Sequence, residues 1–199
     1  LFEGAVLVVV VLLLLLGNWR AALIVAMAIP LSFLFALIGM TFGGVSGNLM
    51  SLGAIDFGLL VDGTVIIVES IVHRITGSHL FPGVARLTQR QMDKEVYSAA
   101  SKIRNSAAFG EIIILIVYLP ILSLVGIEGK MFQPMAQTVG FAILGAFILS
   151  LTWVPMAAAL FLSKETTHKA NVSDRIMAFF QKLYGPALES VLHWKKLTV

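Results

Sequence analysis

Between Asn48 and Val72 the chain is apolar for roughly 24 residues, enough to cross a bilayer core that needs about 20 at ~1.5 Å each. Three carboxylates nevertheless stand in that run: Asp56, Asp62 and Glu69. No Lys or Arg lies inside it to pair with them. A carboxylate near mid-membrane costs about 2.5–3.5 kcal/mol on the insertion scale, so a chain seldom carries one without a use. Asp62, near the middle, reads as a proton or ion site. The bland alternative, a neutral hydrogen-bonded packing acid, weighs more for Glu69 near a membrane face.

Taken as one helix, the run separates the three acids. At ~100° per residue, Asp62 and Glu69 differ by only about 20° and share a stripe two turns long. Asp56 falls about 120° away, on a neighbouring face. In depth, Asp56 lies about 9 Å to one side of Asp62 and Glu69 about 10 Å to the other. Gly53, Gly58 and Gly63 would let neighbouring helices approach closely.

The stretch Gly53–Ser70, GAIDFGLLVDGTVIIVES, resembles the fourth transmembrane helix of resistance-nodulation-division (RND) exporters. The resemblance is to the heavy-metal efflux branch, the CzcA/CusA-like cation pumps, whose D-F-G, V-D-G and V-E-S pattern has its acids where Asp56, Asp62 and Glu69 stand. It implies that Asp62 belongs to a proton relay driving metal/proton antiport, with Asp56 and Glu69 as transport-associated carboxylates. It also implies a homotrimer in the bacterial inner membrane, working with a periplasmic adaptor and an outer-membrane channel. No cofactor is expected beyond the transported metal cation and protons, and no resident metal site. A kinase D-F-G is excluded, since no glycine-rich loop or H-R-D accompanies it.

Composition agrees independently. Hydrophobic residues make up 58% and charged ones 13%, against about 45–50% and about 25% in soluble proteins, as befits an integral membrane protein. A pI of 9.3 raises the question of nucleic acid. The basic residues instead flank apolar runs, which suits anionic lipid and membrane topology, so no nucleic-acid partner is expected. The absence of cysteine removes disulfides and thiolate metal sites. Leu1 opens the chain without a Met or basic leader, and the chain looks cut from something longer.

The expected fold is an all-α membrane domain, part of an RND transmembrane domain, with about five spans at 2–17, 21–42, 48–72, 109–126 and 134–162. The first is short, Gly17–Arg20 reads as a tight turn, and Pro30, Pro120 and Pro155 fall inside spans. Asn48 and Ser51 are candidate caps for the acidic helix. The 73–108 segment is basic, and within it 88–105 places Met92, Val96, Ala99, Ala100 and Ile103 on one face of a helix expected to lie on the membrane surface. His73 and His79 read as ordinary loop histidines rather than a metal pair. Glu111 is placed at headgroup depth and given no transport role. Residues 126–133 read as an external loop, and 163–199 as a cytoplasmic interfacial helix presenting Ile176, Phe179, Phe180, Leu183 and Tyr184.

All but one of the 14 Lys and Arg, the exception being Lys130, lie on one side of these spans. The positive-inside rule makes that side cytoplasmic, setting Asp56 towards the outside and Glu69 towards the cytoplasm. The resemblance covers essentially the whole chain, as spans two to six of an RND subunit and the cytoplasmic helix after them. It implies that the basic and acidic partners of Asp62, and the periplasmic substrate sites, belong to the rest of a parent subunit. Asp56 is present, and Leu60 and Ile67 stand where copper(I) and silver pumps often carry Met, so divalent Zn, Co, Cd or Ni is favoured over copper(I) or silver. The eight Met residues read mainly as gap-filling side chains. Two other classes were weighed. An intramembrane aspartyl protease is disfavoured because Asp56 and Asp62 cannot form a dyad and no second acidic span is read. A purely structural membrane module remains an alternative for the chain by itself.

Overall fold

The computed structural model describes residues 2–47, 49–76 and 86–165, with Arg175, Ala178, Lys182 and residues 184–186 as isolated positions. Among the described residues the chain forms helices and no strand: α1 (Phe2–Leu16), α2 (Trp19–Gly43), α3 (Leu49–Gly53), α4 (Phe57–Thr76), α5 (Gln89–Leu122), α6 (Gly126–Leu151) and α7 (Trp153–Phe161). Four stretches are long and apolar enough to cross a membrane: α2, Ser51–Thr76, α5 and α6. The fifth expected span, α1, has 15 residues, about 22 Å of helix, and falls short of the ~30 Å core. The architecture is the expected all-α membrane bundle.

Local chemistry explains most of the helix ends. Asn18 caps α2, its Oδ1 accepting from the N–H groups of Arg20 at 3.1 Å and Ala21 at 3.4 Å. At the other end Gly44, with φ at 63°, takes the left-handed turn that closes α2. Thr88 and Gln91 form a reciprocal capping box at the start of α5. Where α5 ends, Gln133 of α6 donates to the carbonyls of Leu122 and Leu124 at 3.0 and 2.8 Å.

Three boundaries correct the sequence reading. The 48–72 run is not one helix. It breaks at 54–56 and restarts when Asp56 accepts from the Gly58 N–H at 2.8 Å, in the manner of a cap. The 88–105 surface helix and the 109–126 span are likewise one helix, α5, of 34 residues or about 51 Å. Its apolar face does not lie on lipid: Met92, Val96 and Ala99 are buried in one core with Ile71 and Ile75 of α4 and Val154, Ala157 and Ala158 of α7. Finally, 126–133 is the first two turns of α6, and the 134–162 span divides at Thr152. Pro155 has no N–H for the Leu151 carbonyl and crowds it, so α7 begins afresh with the proline in its first turn. His79, Asn48 and the proposed apolar face at Ile176, Phe179, Phe180 and Leu183 lie outside the described residues.

A second core joins α2, α4 and α6 through Ala36, Leu60, Val139, Ala142, Ile143 and Ala146, with Ile55 beside them. Here the helices meet through glycine. A Cβ on Gly39 would stand 2.6 Å from Phe141 Cγ, and one on Gly145 would stand 2.7 Å from Phe35 Cβ. Each helix therefore receives an aromatic side chain of the other where its own side chain is missing. At the opposite end of the bundle, Arg20, Arg86 and Lys164 surround one pocket, and Gln89 Nε2 donates to the Ala159 carbonyl at 3.1 Å.

A carboxylate-bearing seam between α4 and α5

The N-terminal capping interaction and the apolar pattern of α4 divide that helix into two faces. Leu60, Val61, Gly63, Thr64, Ile67, Val68, Ile71 and Ile75 are buried. Asp62, Ile66, Glu69 and His73 form an exposed stripe at i, i+4, i+7 and i+11. Asp62 and Glu69 thus share a face, as their spacing implies, and no other described helix covers it. Asp56 belongs elsewhere: it is exposed at the break before α4, so the 120° relation derived for a continuous helix does not apply.

The buried face holds a carboxylate that the sequence reading set aside. Glu111 of α5 is only 3% exposed, and its carboxyl group lies directly against Gly63, the residue after Asp62. A Cβ on Gly63 would stand 2.7 Å from Glu111 Cδ and closer still to Oε1. With the Glu111 carboxyl in this position, only a residue without a Cβ fits there. On the far side, Ser150 Oγ of α6 lies 3.4 Å from Glu111 Oε2, its single hydroxyl proton shared with the Phe147 carbonyl at 2.8 Å. Glu111 is therefore not at headgroup depth. It shares the depth of Gly63 and Asp62, and its charge and that of Asp62 are close enough to interact. This also corrects the statement that no second acidic span exists, since α5 supplies one.

A signal for Glu111 was available: it is the only charged residue of α5 beyond Arg104. The same reasoning that singled out Asp62 applies to it. What hid it was its proximity to the basic segment, which suggested that the span began only at Phe109. A further polar link ties the basic ends of the same two helices, the C-terminal end of α4 and the N-terminal part of α5. Arg74 Nε donates to Glu95 Oε2 at 2.6 Å, with Glu95 nearly buried.

Chemically, the arrangement offers one carboxylate on an open face, one inside the bundle, and a hydroxyl behind the second. Such groups can hold and pass protons. Among the described residues no three His, Cys, Asp or Glu side chains gather as a metal site would require.

Comparison with known proteins bears on what this arrangement belongs to. The chain is 51% identical over 192 residues to the cobalt-zinc-cadmium resistance protein CzcA of Cupriavidus metallidurans, covering 96% of this chain and 18% of that protein. It is 45% identical over 189 residues to the nickel-cobalt-cadmium resistance protein NccA of Alcaligenes xylosoxydans xylosoxydans, covering 95% and 17%. A crystal structure of a heavy metal efflux pump matches with a TM-score of 0.66 and 42% identity, over 80% of this chain and 15% of the pump. The chain thus spans about a fifth of the length of these curated relatives. The family model described as AcrB/AcrD/AcrF matches residues 1–199. Matched along its whole length and most similar in kind to metal-resistance proteins, the chain belongs to the AcrB/AcrD/AcrF family of RND transporters, in its heavy-metal efflux branch.

Proposed function

We propose that this chain forms the proton-carrying part of a proton-driven heavy-metal cation exporter of the inner membrane, with Asp62 as a relay group. The observation that carries this reading is the open acidic face of α4. Asp62 sits well inside a membrane-length helix, exposed, with no basic partner among the described residues. A carboxylate so placed is costly unless a further element covers it with complementary charge. The remaining length of the relatives would supply that element. By itself, then, this chain is a membrane module that transports nothing. Glu69, on the same stripe nearer the basic end, is assigned an accessory role in the proton path, and Asp56 one at the opposite end.

The basic residues gathered around Arg20, Arg86 and Lys164 support a cytoplasmic assignment of that end under the positive-inside rule. Divalent cations are the favoured cargo. Relatives at 51% and 45% identity carry names that specify cobalt, zinc, cadmium and nickel, and no Met lies beside Asp62 to suit a softer ion. By family, the working form is a trimer with an adaptor and an outer-membrane channel.

Asp62→Asn keeps the shape and hydrogen-bonding capacity of the side chain but cannot exchange its proton. In a full-length pump carrying this segment, reconstituted into liposomes with an imposed pH gradient, zinc- or cobalt-dependent proton flux should vanish while the protein still assembles. Wild-type flux from that variant would reduce Asp62 to a packing residue.

A further inference from the structure

A buried carboxyl group that only packs should have both oxygens satisfied, because an unpartnered buried acceptor costs about 1–3 kcal/mol. Glu111 does not meet that condition. Ser150 reaches Oε2, whereas Oε1 has no hydrogen-bond partner and lies against Gly63. One residue further along α4, Thr64 Oγ1 is also fully buried without a partner. Two features of the fold thus coincide here: a glycine slot that admits a carboxylate, and an unsatisfied oxygen of that carboxylate lying in it.

The charged groups around Glu111 are few. From α4, Asp62 is near enough for its charge to be felt, though it stands on the exposed stripe beside the Gly63 slot. From α6 the Ser150 hydroxyl approaches, and the charges of α6, Glu128 and Lys130, stand in its first two turns. On α5 itself the nearest ionisable residues are Arg104 and Tyr118, each two turns away. No cation among the described residues pairs with Glu111. Among the described residues, the one charged group that acts on it is the acid already assigned to the relay.

We infer that Glu111 is a second proton-holding group, which exchanges its proton with Asp62 across the α4–α5 seam. This rests on the assignment of Asp62 to a proton relay. In the step, Glu111 starts as the carboxylate and the two side chains swing within hydrogen-bond reach beside Gly63. The O–H bond of protonated Asp62 then breaks and an O–H bond forms at Glu111 Oε1, leaving Asp62 as the carboxylate. The bonds broken and made are of one kind, so no further reactant enters. Ser150 acts as a positioning residue, holding Oε2 so that Oε1 stays turned towards α4.

The test uses the same reconstituted full-length pump with zinc as the cargo, comparing Asp62→Asn, Glu111→Gln, Glu111→Asp and Ser150→Ala. Glu111→Gln should lower metal-dependent proton flux at least about tenfold while zinc binding and assembly are kept. Glu111→Asp, which retains an exchangeable proton, should recover part of it. Ser150→Ala should move the pH at which flux is half-maximal. Loss of flux in Asp62→Asn together with flux within about twofold of wild type in Glu111→Gln overturns this inference alone. Wild-type flux in Asp62→Asn overturns the relay assignment beneath it. Should Glu111→Gln fail to assemble, the Ser150→Ala profile decides: a shift upholds the role of Glu111, and an unmoved profile sinks it.

Discussion

Two helix seams in this bundle use the same device for opposite ends. Between α2 and α6, glycine makes room for an aromatic ring: Phe141 enters at Gly39 and Phe35 at Gly145. Between α4 and α5, glycine makes room for a carboxylate, with Glu111 entering at Gly63. The first seam is apolar and closes into a core with Ala36, Ala142 and Ala146. The second carries an ion pair near the C-terminal end of α4, Arg74 with Glu95, and an incompletely satisfied acid further along the seam. A small residue in a membrane helix therefore does not by itself signal tight packing. What fills the space decides whether the contact stabilises the fold or equips it.

The comparison is sharpest if the same substitution is made in both seams. Gly145→Ala would drive a Cβ into Phe35 Cβ, an atom tied closely to its backbone, so α2 and α6 must separate. We expect a loss of about 2–3 kcal/mol in unfolding titrations in mixed micelles. Gly63→Ala meets the far end of a flexible side chain, which can swing away. Its stability should fall by only about 1 kcal/mol, while proton flux in the full-length pump drops as in Glu111→Gln. Equal stability losses with intact flux in Gly63→Ala would erase the distinction between the seams.

A smaller effect is expected from the ion pair. Arg74 is about one-third exposed while Glu95 is close to buried, so removing the arginine strands an acid in a largely apolar setting. Arg74→Ala should cost about 1–2 kcal/mol, discounted from a fully buried pair for the solvent that reaches Arg74. An unchanged unfolding midpoint would show that the α4–α5 seam does not depend on its polar end.

The smallest effect separates structure from charge at the break before α4. Asn caps a helix as well as Asp does, whereas Ala does not. Asp56→Ala should therefore cost about 1 kcal/mol and Asp56→Asn close to none. If Asp56→Asn nevertheless loses metal-dependent flux, the residue carries a transport role beyond its contact with Gly58; if it behaves as wild type, capping suffices.

Much of this was legible in the residues. Apolar runs of membrane length and punctuating charge gave the all-α bundle, and the spacing of Asp62 and Glu69 gave their common face, because helical periodicity needs no partner to be read. The Thr88–Gln91 capping box and the Asn18 cap are likewise local chemistry. So is the break at Asp56, since an Asp can cap. The break at Thr152 is less so, because Pro155 interrupts its helix whereas Pro30 and Pro134 lie inside α2 and α6.

Only the tertiary structure decided where Glu111 lies. Its depth depends on α5 running unbroken from the basic segment into the bundle, and its environment on which residue of α4 faces it. Those facts come from how helices far apart in sequence slide and turn against one another, and no local periodicity contains them. The same holds for the face of Met92, Val96 and Ala99, which the pattern identifies as apolar and the sequence reading assigns to the membrane surface, whereas it packs against protein. A hydrophobic stripe specifies that water must be excluded. Shape complementarity between helices chooses what excludes it.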